Sequence, residues 1–155
     1  MAQLLLPSPI GPILLRGDED QLDSIRIGND CDGEASGNAL LGEAAAQLAA
    51  WFEGRLTRFD LPLASPESPH GAAHRDAILA IPFGETASYG VVARMIGSSP
   101  RAVGQACRRN PFPIVVPCHR VIAAGGAIGY YSGGEGIATK LWLIAQERRV
   151  AAREG

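Results

Sequence analysis

Pro117-Cys118-His119-Arg120 is the segment of this 155-residue chain that carries the most chemistry. A cysteine acts as nucleophile or metal ligand through its thiolate. A neighbouring histidine and arginine favour that form, the arginine simply through its positive field. Pro117 pushes Val116 toward extended backbone and removes a donor just ahead of the cysteine. Neighbours in an extended chain point to opposite faces, so Cys118 and His119 cannot pair without a turn, a bridging water or a third residue. Taken alone, the pair fits better a small buried cysteine beside a surface histidine. His70 and His74 form a second pattern, since i, i+4 spacing puts both on one helix face, as metal ligands stand. No glutamate follows His70 and no third ligand is placed, so no metal site is read there.

The other two cysteines, Cys31 and Cys107, read as structural. An odd number of widely spaced cysteines is no disulfide framework, and at least one thiol is free. No apolar run approaches the roughly 20 residues of a membrane helix, and no basic leader precedes an apolar stretch, so a cytoplasmic protein without membrane contact is expected. The net charge of −2 is unevenly distributed. Residues 1–85 hold 13 acidic and five basic side chains, a balance of −8, whereas residues 86–134 hold Arg94, Arg101, Arg108, Arg109 and Arg120 and no acid. Such a stretch suits a surface that faces an anionic partner, and it also suits ordinary solvated arginines.

The elements that must position these groups follow from turn chemistry and periodicity. Residues 4–6 and 13–15 read as strands around Pro7-Ser8-Pro9 and Gly11-Pro12, and Leu22, Ile25 and Ile27 as a third. Residues 28–38 read as a loop. Leu40, Leu41, Ala44, Leu48, Trp51 and Phe52 recur at helical spacing, with Gly54 at the C-cap. Residues 61–69, with three prolines, read as a linker. Beyond it come a helix over 70–80, another after Ser88, and a short basic helix over 101–109 with Ser99 as N-cap and Pro100 in the first position. That pair has the layout of a helix-turn-helix. Residues 114–116 read as a brief apolar strand leading to Cys118, and 137–149 as a closing helix. The expected architecture is a small α/β domain (residues 1–68, sheet plus helix, with the linker), then a mostly helical domain (69–155) with a helix-turn-helix of the winged-helix type.

Several motifs stand in a fixed order: Ile81-Pro82-Phe83-Gly84-Glu85-Thr86, Ser88-Tyr89-Gly90, Arg101-Ala102-Val103-Gly104, Asn110-Pro111, Pro117-Cys118-His119-Arg120-Val121-Ile122, Gly129-Tyr130-Tyr131-Ser132-Gly133-Gly134, and Lys140-Leu141-Trp142-Leu143 with Glu147 beyond. In that order they resemble the O6-alkylguanine-DNA alkyltransferases, closely over residues 81–147 and loosely before. The resemblance implies single-use transfer of an alkyl group, chiefly methyl, from O6 of guanine in double-stranded DNA to a cysteine, giving a stable S-alkylcysteine. No metal or organic cofactor is needed, and the protein is expected to act as a monomer. A thioether has no carbonyl for water to attack, so turnover is not expected.

By the same resemblance Cys118 is the nucleophile, His119 takes its proton through a water, Glu147 orients His119, and Asn110 braces the turn before the active-site strand. Tyr89 and Lys140 assist guanine departure, where negative charge develops on the purine. Pro113, Gly129, Tyr131, Ser132 and Val121 line the base pocket. Arg101 fills the gap left by the flipped nucleotide. Flipping is required because O6 is out of reach in a paired base. Ala102, Val103, Gly104, Arg108, Arg120 and Tyr89 complete the DNA contacts in the minor groove. Three departures stand out. His70 and Arg75 occupy positions usually held by phenylalanine and tryptophan, so looser packing of that helix is expected. The turn from Gly97 to Arg101 is short, and two extra residues separate Gly134 from Lys140. Two other readings remain beside repair: a damage sensor that binds without reacting, though such relatives lack the cysteine, and a cysteine hydrolase using Cys118, His119 and Glu147, for which the helix pair would have no purpose.

Overall fold

Burial of apolar side chains accounts for the first third of the chain. In the structure, a computed structural model that describes residues 1–28, 36–131 and 133–154, the chain divides into two units, Met1–Ala64 and Ser65–Gly155. Cys31, most of the expected loop 28–38 and Ser132 lie outside the described residues. In the first unit β1 (Ala2–Leu6), β2 (Ile13–Gly17) and β3 (Leu22–Ile27) form an antiparallel meander, with Leu4 opposite Leu15 and Ile13 opposite Ile27. Successive side chains of a strand point to opposite faces, and on central β2 both faces are buried, Ile13 and Leu15 on one and Leu14 on the other. Helix α1 (Ala39–Phe52) packs on β1 and β2 and buries Leu41, Ala44, Leu48 and Trp51. Asn38 caps its start, accepting from the Leu41 amide at 2.9 Å. Its end is a Schellman motif, in which Gly54 at φ 77° lets the Arg55 amide return to the Ala50 carbonyl. The front of the expected linker belongs to this unit, because Leu22 exchanges backbone hydrogen bonds with Pro62 and Ala64 at 2.8 Å each.

The second unit is built from short helices whose starts are written locally. Helices α2 (Pro69–Leu79), α3 (Tyr89–Met95) and α4 (Pro100–Arg108) begin after Ser68, Ser88 and Ser99, each of which accepts an amide hydrogen bond from the first turn. Helices α3 and α4 form the helix pair, and α2 packs on both. The Arg75 guanidinium lies 5.2 Å from the Phe112 ring centroid, and α2, expected to pack loosely, buries His74, Ala77 and Ile78. His74 bonds the His70 carbonyl through Nδ1 (2.8 Å) and Ser98 Oγ through Nε2 (2.9 Å), so both ring nitrogens serve the packing of α2.

One expectation fails in an instructive way. Residues 114–116 are not a strand but part of a turn, closed by the Val116 amide on the Phe112 carbonyl at 2.8 Å. Ile114 sits at φ 75°, a left-handed conformation that costs a β-branched residue about 1–3 kcal/mol. Asn110 holds the turn from inside: its Oδ1 accepts from the Phe112 amide at 3.0 Å and its Nδ2 donates to the Val116 carbonyl at 2.9 Å. Pro117 (φ −80°, ψ 63°) then makes an inverse γ-turn, and Cys118–Arg120 form one turn of 3₁₀ helix. The chain continues as β5 (Val121–Ile122), parallel to β4 (Ala87–Ser88), which sets the start of α3 beside the cysteine turn. The closing helix α5 runs Ile137–Glu154, longer than the periodicity suggests.

Candidate active site

The 3₁₀ turn removes the geometric obstacle at Cys118, since side chains of an extended pair diverge but those of a turn need not. Cys118 is 6% exposed and His119 is fully buried. His119 Nε2 lies 2.8 Å from Glu147 Oε2 on α5. The same carboxylate takes a fork from Arg120, Nε to Oε1 and Nη2 to Oε2, both 2.8 Å, while Arg120 Nη1 donates to the Ile81 carbonyl at 2.6 Å. Burial alone would raise the Glu147 carboxyl, yet the hydrogen bonds from His119 and Arg120 outweigh it and hold it at about 2. Burial lowers His119 despite Glu147, so the ring is neutral near pH 7. A neutral imidazole facing a carboxylate through Nε2 carries its proton there, which leaves Nδ1 as the basic nitrogen.

The thiol itself is not pre-ionised. Burial raises it, opposed by a hydrogen bond from Asn110 and by the charge of Lys140. The cation facing the sulfur is therefore Lys140, not Arg120 as the tetrapeptide suggested. Lys140 is fully buried on α5, with Nζ donating to the carbonyls of Val121 (2.6 Å) and Tyr130 (3.3 Å) and standing 5.7 Å from the Tyr89 ring. Burial lowers its ammonium, which the nearby thiols oppose. Burial also raises the Tyr89 phenol, so Tyr89 is a proton donor at neutral pH. Gly129, at φ 77°, makes room for the Tyr89 ring, because a Cβ there would stand 3.0 Å from Tyr89 Oη and 3.3 Å from Tyr89 Cε2.

A cavity of about 530 Å³ opens beside the sulfur, lined by Cys118, Tyr89, Tyr131 and, along α4, Arg101, Gly104 and Arg108. Tyr131 is 6% exposed, and its buried hydroxyl has no hydrogen-bond partner among the described residues. The structure thus brings together Cys118, His119, Glu147, Asn110, Tyr89, Lys140, Gly129 and Tyr131. Pro113 belongs to the Asn110 turn, and Val121 is fully buried and contributes a carbonyl to Lys140 rather than a wall.

Of the expected DNA contacts, Arg101 and Arg108 are exposed on α4, and Ala102 and Gly104 are half-buried. Two others need correction. Val103 is fully buried, because the helix must pack one face on α3. Arg120 is 7% exposed with its guanidinium engaged by Glu147 and Ile81, and so cannot reach a phosphate. Sequence reasoning missed Gln105 and Cys107 in the cavity wall. Helical counting from Arg101 (i+3, i+4, i+7) finds Gly104, Gln105 and Arg108 on one face.

Residues 1–65 match the family model for the 6-O-methylguanine DNA methyltransferase ribonuclease-like domain, and residues 72–149 that for the DNA binding domain of the same family. The methylated-DNA--protein-cysteine methyltransferase of Methanosarcina acetivorans is 40% identical over 142 residues, 86% of this chain and 91% of that one. Its namesake from Mycobacterium leprae is 39% identical over 150 residues, 92% of this chain and 90% of that one. Among solved structures, Mycobacterium tuberculosis OGT in complex with DNA superposes with a TM-score of 0.84 at 36% identity, covering 97% of this chain and 94% of that chain.

Proposed function

The chain belongs to the 6-O-methylguanine DNA methyltransferase family, and from that premise we propose that it repairs O6-alkylguanine in double-stranded DNA by moving the alkyl carbon onto its own Cys118, once per molecule. The observation that carries this assignment to particular residues is the shared cavity: the Cys118 sulfur opens on the same hollow as the exposed face of basic helix α4.

The chemistry follows from the charges. The Cys118 proton passes through a water to His119 Nδ1, and the imidazolium so formed is stabilised by ionised Glu147, which Arg120 keeps in place. The sulfur attacks the alkyl carbon from behind as the C–O6 bond breaks, so an S–C bond replaces an O–C bond and the electron pair leaves with the purine. Tyr89 donates toward N3 and Lys140 offers its charge near O6, both in a buried site where such interactions are strong. Asn110 holds the turn that aims the sulfur. Tyr131 closes on the extruded base, and its unpartnered hydroxyl suits a polar ligand. Arg101 enters the duplex gap from the minor groove, while Arg108 and the small residues Ala102 and Gly104 let α4 approach the backbone. Among the described residues no helix is long and apolar enough to cross a membrane. The proposed substrate is genomic DNA, and the proposed site of action is accordingly the cytoplasm.

The test is to incubate the protein with DNA bearing O6-methylguanine, weigh it intact and map the modified peptide. One methyl on Cys118 per molecule is expected, and none on Cys118→Ala. An unmodified thiol with lesion DNA in excess overturns the assignment. Binding without mass change would point to a sensor, and product beyond one equivalent to a hydrolase.

A further inference from the structure

His74 is an interior polar residue that the transfer chemistry leaves unused. It is 3% exposed, on the side of α2 that packs against the helix pair. Burying an imidazole is costly unless both ring nitrogens find partners, and here both do. Nδ1 meets the His70 carbonyl at 2.8 Å, and since a carbonyl only accepts, Nδ1 carries a proton. In the neutral ring Nε2 is then the acceptor, and the Ser98 hydroxyl donates to it across 2.9 Å. The first bond stays within α2. The second crosses to the turn between α3 and α4, 24 residues on.

Ser98 stands where three helices meet. Its amide closes the end of α3 by returning to the Ala93 carbonyl at 2.9 Å, past Gly97 at φ 63°. The next residue, Ser99, caps α4 by accepting from the Ala102 amide at 3.1 Å. The bond from His74 therefore holds the point from which α4 starts, and exposed Arg101 lies just beyond it. Arg75, the neighbour of His74, reaches the far end of α4. Its guanidinium lies against the ring of Phe112, in the turn that Asn110 holds. Adjacent residues of α2 thus reach both ends of α4. We propose that His74, acting through Ser98, is a positioning residue that sets the direction in which α4 leaves its turn, and so the fit of Arg101 to DNA. This rests on the reading of α4 as the DNA-facing helix.

The experiment is a double-mutant cycle on His74 and Ser98. Affinity for a duplex bearing O6-methylguanine is read by fluorescence anisotropy in a Cys118→Ala background, so that the lesion stays intact. The limiting rate of methyl transfer at saturating duplex is read on chains that keep Cys118. His74→Leu and Ser98→Ala are each expected to weaken binding about fivefold, and the double variant no more than either, because all three lose the same bond. His74→Gln keeps a polar group where Nε2 stood and should bind within about twofold of the unsubstituted chain. The limiting rate should also stay within about twofold, since excess DNA restores the same complex at Cys118. A histidine that only supports the fold would change denaturant unfolding and leave affinity where it was. Ser98→Ala and His74→Gln carry the test even if His74→Leu fails to fold. Four results each overturn the proposal: unchanged affinity in Ser98→Ala, losses that multiply because Ser98 touches DNA itself, a His74→Gln as weak as Ser98→Ala, or a loss confined to the limiting rate. An unmethylated Cys118 in the unsubstituted chain strikes the repair assignment instead, while the affinity cycle alone judges His74.

Discussion

The two units bury different kinds of residue. In Met1–Ala64 the described core is wholly apolar, from Ile13, Leu14 and Leu15 through Trp51. In Ser65–Gly155 the interior also holds His74, His119, Arg120, Thr139, Lys140, Gln146 and Glu147. Removing charge from water is costly unless each group finds partners, and here Glu147 is met by the Arg120 guanidinium and the His119 imidazole, and Lys140 by two carbonyls. The first unit follows burial of apolar area alone. The second bears the desolvation of a charged network, which is what its chemistry requires.

That contrast breaks most visibly at Glu147. Glu147→Gln strands Arg120 and His119 in the interior, and should cost about 3–5 kcal/mol of stability and slow methyl transfer roughly a hundredfold, read by denaturant unfolding and single-turnover kinetics. The pH dependence has a definite sign. The folded carboxyl lies at about 2 against an ordinary 4.5, so its stabilisation is fully present above 4.5 and is lost as pH falls toward 2. That loss amounts to about 3 kcal/mol, and acid titration of the variant should lack it.

Leu48→Ala, in the apolar unit, should cost about 2–5 kcal/mol with no such acid-dependent component. Val103→Ala, on the supposed DNA helix, should lower stability by about 2 kcal/mol and leave the salt dependence of DNA binding unchanged, since the side chain is core. The smallest effect is Arg109→Ala, on the exposed end of that helix, which should keep stability and reduce the slope of log affinity against log salt by about 0.9.

Much of the architecture could be read from the chain because its signals are local. Ser88 and Ser99 each cap the helix that follows by accepting an amide three residues on, and Gly54 ends α1 where the periodicity stops. The apolar run at 114–116 misled because β-branched residues favour strands. Asn110 and Pro117 turn it instead, and no periodicity reports on a side chain that clasps backbone six residues on. Val103 was misjudged for a related reason: a four-residue motif names a helix but not its buried face.

The amino-acid sequence by itself determined where helices start and that the middle of the chain is basic, and it singled out Cys118 and His119 as the pair to examine, since each depends on residue type and near neighbours. Only the tertiary structure decided that Arg120 serves Glu147, 27 residues away, that Lys140 supplies the field at the sulfur, and that the thiol rests protonated. A charge acts on whatever lies within a few ångströms of it, and for a buried side chain those neighbours come from distant parts of the chain.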